Sequence, residues 1–218
     1  MSAHPSERAA GLLQEPAQRT EPQAKEDRSV TTITQAIIPE HVPVVAGLFG
    51  EYMRWVCPRI HEEYGAVFDA ESVIAHDMET LPIFLPPQGC LLLAFDDGLA
   101  AGCICVRTIG DGVAEMKRMY VRPAHRRKGI GTALVRESVR RAQAAGFSEM
   151  RLDSAGFMRD AHVVYRSSGF GDIPPYEGSE IPAELRRHWV FMGLDLTNGD
   201  PGARHGGRGG GDRGTRGG

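Results

Sequence analysis

The sequence has little cysteine, no large excess of charge of one sign and no long apolar run. Its four cysteines lie at positions 57, 90, 103 and 105 without a Cys-x-x-Cys spacing. A disulfide framework or a cysteine-bound zinc site is therefore not expected, and the thiols are predicted to be reduced and buried. The eight histidines are scattered without a His-Glu-x-x-His motif, so the sequence predicts no bound metal.

Charge balance and hydropathy exclude two further classes of protein. The chain carries 25 lysines and arginines against 28 aspartates and glutamates, a formal net charge of -3, so no global positive field attracts nucleic acid or an anionic membrane. No apolar run approaches the ~20 residues of a membrane span, and the start lacks the apolar centre of a secretory signal. We therefore expect a cytoplasmic protein without a membrane or nucleic-acid partner.

The two ends of the chain differ in composition from its middle. Residues 1–28 combine proline, glutamate, glutamine and arginine with few large apolar side chains, which predicts a disordered leader. Residues 198–218 are dominated by glycine and arginine, but the aromatic residues of an RNA-binding arm are missing, so a disordered tail is expected. One domain is predicted between them, at residues 29–197.

The segment 115–145 is predicted to form a strand, a phosphate-binding loop and a helix. Its strand residues end before Pro123, and the loop contains Arg126, Arg127, Lys128, Gly129 and Gly131. Glycines leave backbone amides free to face an anion, and the helix that starts near Ile130 adds about half a positive charge at its N-terminus. The pattern is neither a P-loop nor a dinucleotide fingerprint. Its alternative interpretation is a tight turn into an exposed basic helix.

The remaining pattern predicts an α/β chain around that segment. Two helices, at 40–56 and 70–81, follow a first strand, with Asp69 as the N-cap of the second helix and Ser72 as the alternative. Three strands joined by tight turns then form an antiparallel meander. The central helix returns the chain to a strand near 150–153 that pairs parallel with the loop-bearing strand, and a short helix and a last strand follow.

Several motifs occur in an order that resembles one enzyme family. They are Arg126-x-x-Gly129-x-Gly131 after Tyr120-Val121-Arg122-Pro123, Leu152-Asp153, and Ala161-x-x-x-Tyr165-x-x-x-Gly169-Phe170. Together they resemble the GNAT acetyltransferase superfamily, over roughly residues 30 to 196. Glu-Met-Lys-Arg-x-Tyr-Val before the loop and Ile173-Pro-Pro-Tyr176 after the last motif resemble a bacterial subgroup of that family. The resemblance implies a mixed, mostly antiparallel central sheet flanked by helices. Its central strands would splay apart to form a V-shaped cleft for the pantetheine arm of acetyl-CoA.

The same resemblance implies an N-acetyltransferase in which a primary amine attacks acetyl-CoA directly. The acceptor is expected to be a small molecule and the protein a monomer or a homodimer. The alternative is a non-catalytic CoA-binding sensor on the same scaffold. By resemblance, the donor would be held by the residues of the strand end and the loop: Met119, Tyr120, Val121, Arg126, Arg127, Lys128, Gly129, Ile130 and Gly131.

Catalytic roles also follow from the resemblance. Tyr165 lies where the family places the tyrosine that protonates the departing thiolate, and a phenol with a pKa near 10 is protonated at neutral pH. An ammonium cannot attack, so a base is required. Glu115 and Asp153 are both candidates, and Glu115 is preferred because several members keep a catalytic glutamate at its position. The alternative for either residue is a structural carboxylate. In many members an asparagine seven residues before the tyrosine contacts the cofactor. Here that position is Met158, so this contact is not transferred.

The region between the first two strands is predicted to border the acceptor site. By resemblance, Tyr52, Trp55, Arg59 and Tyr64 would line the acceptor pocket, and Arg59 would anchor an acceptor carboxylate. Glu62 and Glu63 are weaker candidates. The alternative is that the aromatic residues pack in the core and the glutamates lie in solvent.

Overall fold

The computed structural model describes residues 30–197, which form one seven-stranded sheet in the order β1-β2-β3-β4-β5-β7-β6. The strands are β1 Thr31–Gln35, β2 Gly89–Asp96, β3 Leu99–Gly110, β4 Val113–Val121, β5 Glu149–Ala155, β6 Gly171–Asp172 and β7 Trp189–Asp195. The helices are α1 Val42–Tyr64, α2 Ala70–Glu79, α3 Ile130–Ala144 and α4 Arg159–Ser167. Short 3-10 helices occur at Leu81–Phe84, Pro123–His125 and Ala183–His188. The predicted leader and tail lie outside the described residues.

The sheet opens between its two central strands. β4 and β5 pair in parallel from Val113 opposite Glu149 to Glu115 opposite Arg151, and no pair follows, although both strands continue. The other strand pairs are antiparallel. The predicted meander and the predicted splay of the central strands are therefore confirmed. The gap lies at the end of β4 that leads into the phosphate loop.

Helices cover both faces of the sheet, so its central strands carry apolar side chains on both sides. On one face, Leu134 and Val135 of α3 pack with Leu92 and Ile104 of the sheet. On the other face, α1 packs its buried residues against neighbouring sheet positions that include Leu91, Leu93, Cys103 and Cys105. The four cysteines are free and buried, as predicted, and burial raises the pKa of the Cys103 thiol to about 12.

The first helix is longer than the sequence predicts. It was expected to end at residue 56 because Pro58 follows, but it continues to Tyr64 with Pro58 inside it. An interior proline costs a helix roughly 3 kcal/mol. Met53, Val56, Cys57 and Ile60 are buried along one side of α1, and this burial extends past the proline and offsets its cost. Residues 59–64 are therefore helical rather than part of a loop between the first two helices.

The second helix begins as predicted and ends earlier. The side chain of Asp69 accepts a 3.2 Å hydrogen bond from the amide of Ser72, which confirms Asp69 as the N-cap. The helix ends at Glu79 rather than at residue 81, because the chain tightens into the 3-10 helix that contains Pro82.

A bulge interrupts β4 at Arg118, whose φ of 56° is left-handed. The register with β3 shifts there, from Cys103 opposite Tyr120 to Cys105 opposite Lys117. The guanidinium of Arg118 is held by Asp77 of α2, with Nε–Oδ2 and Nη2–Oδ1 distances of 2.6 and 2.7 Å. This bidentate pair fixes α2 against the sheet beside the gap.

Candidate active site

The phosphate loop has the backbone of an anion cradle. Arg127 and Gly129 adopt left-handed conformations with φ of 62° and 80°, and α3 starts after Gly129 without a side-chain cap. The first amides of α3 therefore lack an acceptor within the helix and favour a negative group. A Cβ at Gly131 would lie 3.8 Å from Val121 and 3.9 Å from Met119, so the loop packs directly on the end of β4.

The basic side chains of the loop already have protein partners. Lys128 Nζ lies 2.7 Å from Asp96 Oδ2, and that carboxylate oxygen also lies 2.7 Å from His125 Nδ1. Arg126 donates from Nε to the carbonyl of Val121 at 3.0 Å, and its guanidinium lies over the ring of Trp55. Arg127 is exposed. The backbone amides are thus the anion-binding groups that the fold presents directly. Contacts between these basic side chains and acetyl-CoA stay a prediction.

A cavity of about 190 Å³ lies where β4 and β5 separate. One wall is formed by α1 and α2, and the opposite side by the divergent strands and by the segment before β7. Its polar lining residues are Tyr52, Lys117, Arg118, Asp153, Ser154 and Glu180. Of the two predicted bases, Asp153 therefore faces this cavity, whereas Glu115 is not part of its lining.

Asp153 is a partly buried carboxylate with a single close donor. Ser179 Oγ donates to Asp153 Oδ2 at 3.0 Å, and the hydroxyl of Tyr176 lies 3.5 Å from the same oxygen. Burial raises the pKa of Asp153; Glu115 raises it further, while the positive charge of Lys117 opposes the rise. A carboxylate with a raised pKa that faces a cavity is suited to accept a proton.

Glu115 lies in a buried network instead. Its side chain is fully buried, and Oε2 lies 2.7 Å from Arg107 Nε and 2.6 Å from Arg107 Nη2. The other oxygen accepts a 2.8 Å hydrogen bond from Tyr176. Both carboxylate oxygens are therefore engaged within the protein. This geometry is that of a structural carboxylate that holds β3, β4 and the segment before β7 together.

Glu180 is a site residue that the sequence did not single out. Its carboxylate lies 2.8 Å from Lys117 Nζ and 2.6 Å from Arg107 Nη1. Burial opposes ionisation of Glu180, but the two cations outweigh it and lower its pKa to about 2. Glu180 is distant in sequence from its partners and lies in an irregular segment, so no periodic pattern marks it. The Pro-Pro-Tyr176 motif close before it was the nearest available signal.

Tyr165 of α4 is buried, with the edge of its ring against Phe170 at a centroid distance of 6.2 Å. Its hydroxyl makes no hydrogen bond to any residue between 30 and 197. Burial raises the pKa of Tyr165, and the negative charges that Tyr52 and Asp153 can carry raise it further. The phenol is therefore protonated at neutral pH and free to donate. Burial likewise raises the pKa of Tyr52, to about 12.

The predicted acceptor residues are only partly brought together. Tyr52 lines the cavity, and its ring contacts Trp55, which is 43% exposed. Tyr64 stacks on His188 at 4.6 Å. Arg59 lies over Phe157 and pairs with Glu63 at 2.8 Å, with Glu62 at 3.8 Å. Trp55, Arg59 and Tyr64 thus lie outside the lining of the cavity.

Met158, at the position where many relatives have asparagine, lines the cavity with an apolar side chain. Within residues 30–197, no cluster of histidine, cysteine or carboxylate side chains is arranged to hold a metal ion. None of the helices in that range combines the length and apolar character that a membrane span requires.

Comparison with known proteins places this architecture in a family. Residues 53–170 match the acetyltransferase (GNAT) family. An uncharacterized N-acetyltransferase of Schizosaccharomyces pombe is 33% identical over 168 residues, covering 76% of this chain and 95% of the relative. An IAA acetyltransferase of Azospirillum brasilense is 34% identical over 114 residues, covering 51% of this chain and 72% of the relative.

A solved structure shares the fold. It is the PaiA N-acetyltransferase of Thermoplasma acidophilum in complex with coenzyme A, with a TM-score of 0.59 and 21% identity over 76% of this chain and 99% of that one. The chain belongs to the GNAT family of acetyltransferases. It is an acyltransferase by class, as the sequence motifs predicted.

Proposed function

We propose that this protein transfers the acetyl group of acetyl-CoA to a primary amine by direct attack, with Asp153 as the base and Tyr165 as the acid. The observation that carries the proposal is the meeting of two features at the gap of the sheet. These are an unpaired strand edge that leads into an anion cradle and a carboxylate with a raised pKa. The phenol of Tyr165 on α4 makes no hydrogen bond within residues 30–197, and Asp153 is near enough to raise its pKa.

The donor side fits the residues present. The amides at the start of α3 face an anion without obstruction by side chains, which suits a pyrophosphate. Beyond Glu115 the β4 edge has no neighbouring strand, so the backbone of Met119 and Val121 is positioned to pair with the amides of pantetheine. Acetyl-CoA bound there supplies the activated thioester. A nearby amide, such as that of Tyr120, would polarise the thioester carbonyl.

The base, Asp153 of β5, lines the cavity, whereas the acid, Tyr165 of α4, lies outside the lining and near enough to Asp153 for the carboxylate to raise its pKa. Asp153 takes a proton from the acceptor ammonium, directly or through water, so that the neutral amine attacks the carbonyl carbon. The C–N bond forms and the C–S bond breaks. Tyr165 gives its proton to the thiolate sulfur, the new amide nitrogen loses its second proton to the tyrosinate through water, and Asp153 releases the proton that it took to solvent. Asp153 is preferred over Glu115 because both oxygens of Glu115 are occupied within the protein.

The proposal is tested in two stages with the full chain. Calorimetric titration of acetyl-CoA should show binding by the parent and not by a Gly129→Glu, Gly131→Glu variant. A screen of amines with acetyl-CoA should then release free CoA thiol, and Asp153→Asn should abolish most of that release without abolishing acetyl-CoA binding. Absence of binding by the parent would overturn the proposal.

The alternative, a non-catalytic CoA-binding sensor, has no observation in its favour among the described residues. It would be supported by acetyl-CoA binding without turnover of any amine.

A further inference from the structure

The helical side of the cavity is mostly apolar. Apart from Tyr52, this wall consists of side chains from α1 and α2 and the turn between them, namely Met53, Val56, Cys57, Ile60, Phe68 and Val73. The α1 residues are buried and Phe68 and Val73 are partly buried. Burial raises the pKa of the Cys57 thiol, so it stays neutral and acts as a small apolar group.

The cations of the cavity are already paired with carboxylates. Arg118 is held in a bidentate pair by Asp77, and Lys117 lies 2.8 Å from Glu180. A carboxylate on the acceptor would therefore have to displace one of these partners, because the described lining offers no cation outside an ion pair. Arg59, the residue expected to anchor such a group, lies outside the lining and pairs with Glu63.

The charged side chains in and next to the cavity together favour binding of a cation. Four carboxylates, those of Asp77, Glu115, Asp153 and Glu180, face three cations, those of Arg107, Lys117 and Arg118. The ionised cluster thus carries one net negative charge, which an ammonium group next to Asp153 would neutralise. A second ammonium on the acceptor would lie against the apolar wall without a partner, which is unfavourable.

We infer that the acceptor is a compact monoamine with an apolar aryl or alkyl body and no carboxylate, its nitrogen at Asp153 and its body against the wall of α1 and α2. This inference rests on the proposed function and gives its substrate class. The size is suitable: an apolar cavity of ~150 Å³ holds benzene. The cavity of about 190 Å³ therefore accommodates a phenyl ring or a short alkyl chain that carries an aminoalkyl arm.

The test compares acceptors that differ in one feature. With acetyl-CoA saturating, CoA release is measured for 2-phenylethylamine, hexylamine, phenylalanine and 1,6-diaminohexane. Phenylalanine adds a carboxylate to the first amine, and the diamine adds a second ammonium to the second. We expect kcat/KM for each monoamine to exceed that of its charged counterpart by about 100-fold or more, since a buried unpaired charge is strongly unfavourable.

Two variants test whether the wall formed by α1 and α2 causes the preference for monoamines. Val73→Glu places a carboxylate on the wall and should raise the kcat/KM ratio of diaminohexane to hexylamine by at least about tenfold. Val67→Glu is the matched control, because Val67 is 80% exposed and outside the lining, and it should leave that ratio unchanged. Equal or better turnover of phenylalanine or the diamine by the parent overturns the inference and leaves the proposed function intact. Turnover of no amine, despite binding of acetyl-CoA, overturns both.

Discussion

Ser179 and Asp153 are joined by a 3.0 Å hydrogen bond from the serine hydroxyl to Oδ2 of the carboxylate. The serine lies in the irregular segment before β7, and the carboxylate lies on β5 at the edge of the gap. The segment before β7 therefore contributes to the proton affinity of the residue proposed as base, opposing the rise in pKa that burial causes.

Removal of this donor should shift the pH dependence of the reaction. The hydrogen bond from Ser179 lowers the pKa of Asp153, so Ser179→Ala should raise that pKa. As the pH is lowered, Asp153 would then become protonated at a higher pH than in the parent, and a protonated carboxyl cannot act as a base. We expect the acidic limb of the kcat profile to move to higher pH, measured with acceptor saturating. Ser179→Thr keeps the hydroxyl and should keep the parent profile; an unchanged profile in the alanine variant would count against Asp153 as base.

Asp153→Asn should lower the activity and raise the stability of the fold at neutral pH. Loss of a general base lowers kcat by roughly 10²–10⁴-fold. Because burial raises the pKa of Asp153 in the folded state, its ionised form destabilises the fold, and stability is lost as pH rises through that raised pKa. The variant removes this penalty at neutral and higher pH, whereas below the ordinary aspartate pKa of about 3.9 it has no such advantage.

Thermal unfolding at several pH values measures this stability change. Each kcal/mol raises the melting temperature of a domain of this size by about 2–4 °C. A variant less stable than the parent at pH 8 would show that ionised Asp153 stabilises the fold, contrary to this account.

Glu115→Gln should behave differently from Asp153→Asn. It removes the fully buried partner of Arg107, which keeps its pair with the partly exposed Glu180, so the cost should lie below the roughly 3–5 kcal/mol of leaving a buried charge unpaired. The expected result is a clear loss in the free energy of unfolding, measured by denaturant titration. In whatever fraction stays folded, kcat should fall far less than in Asp153→Asn. A folded Glu115→Gln variant with almost no turnover would reassign the base to Glu115.

Tyr165→Phe should lower kcat by at least ~10²-fold while acetyl-CoA affinity stays the same. The hydroxyl makes no hydrogen bond within residues 30–197, so its removal leaves no broken contact in that part of the chain. Affinity is measured by calorimetry and kcat by CoA release. Tyr64→Phe is the control, because Tyr64 stacks on His188 and has no role in the proposed proton transfers, and it should retain parental kcat. Equal turnover by Tyr165→Phe and the parent would remove the acid role.

Gly129→Ala should weaken donor binding through the backbone. Gly129 has φ of 80°, where an L-residue costs roughly 1–2 kcal/mol, although a Cβ there meets no atom within 4 Å. A loop that relaxes away from this conformation would turn its amides from the anion, so the Kd for acetyl-CoA should rise. Gly47→Ala is the control: it lies inside α1 with open space and should leave Kd unchanged while stabilising the helix by about 0.5–1 kcal/mol.

Local patterns were sufficient to predict much of the fold. The tight turns between β2, β3 and β4 identified the meander, and the Asp69 cap identified the start of α2. The phosphate loop was visible because glycines and a following helix are contiguous in sequence. The prediction that the first helix ends before Pro58 was wrong, because burial along α1 outweighs the local cost of the proline. This burial is a tertiary effect that the sequence does not display.

The site was less predictable because its contacts are distant in sequence. Glu180 pairs with Lys117 and Arg107, and Tyr176 reaches Glu115 from 61 positions away. No spacing rule relates these residues. Likewise, the choice between Glu115 and Asp153 depends on which carboxylate is already paired. Lys128 of the phosphate loop pairs with Asp96 at the end of β2, which is distant in sequence. These facts become available only when the sheet is assembled.

Because β4 and β5 pair over only a short stretch, the sheet consists of two parts joined at one end. The first part consists of β1 to β4 and the second of β5, β7 and β6. Within residues 30–197, the strand pairs that join them are Val113 with Glu149, Ala114 with Met150 and Glu115 with Arg151. A linear ligand in the gap would brace the two parts at their open end. We expect such bracing to slow hydrogen exchange at Met119 and Val121, so the strand edge itself would report occupancy without any measurement of catalysis.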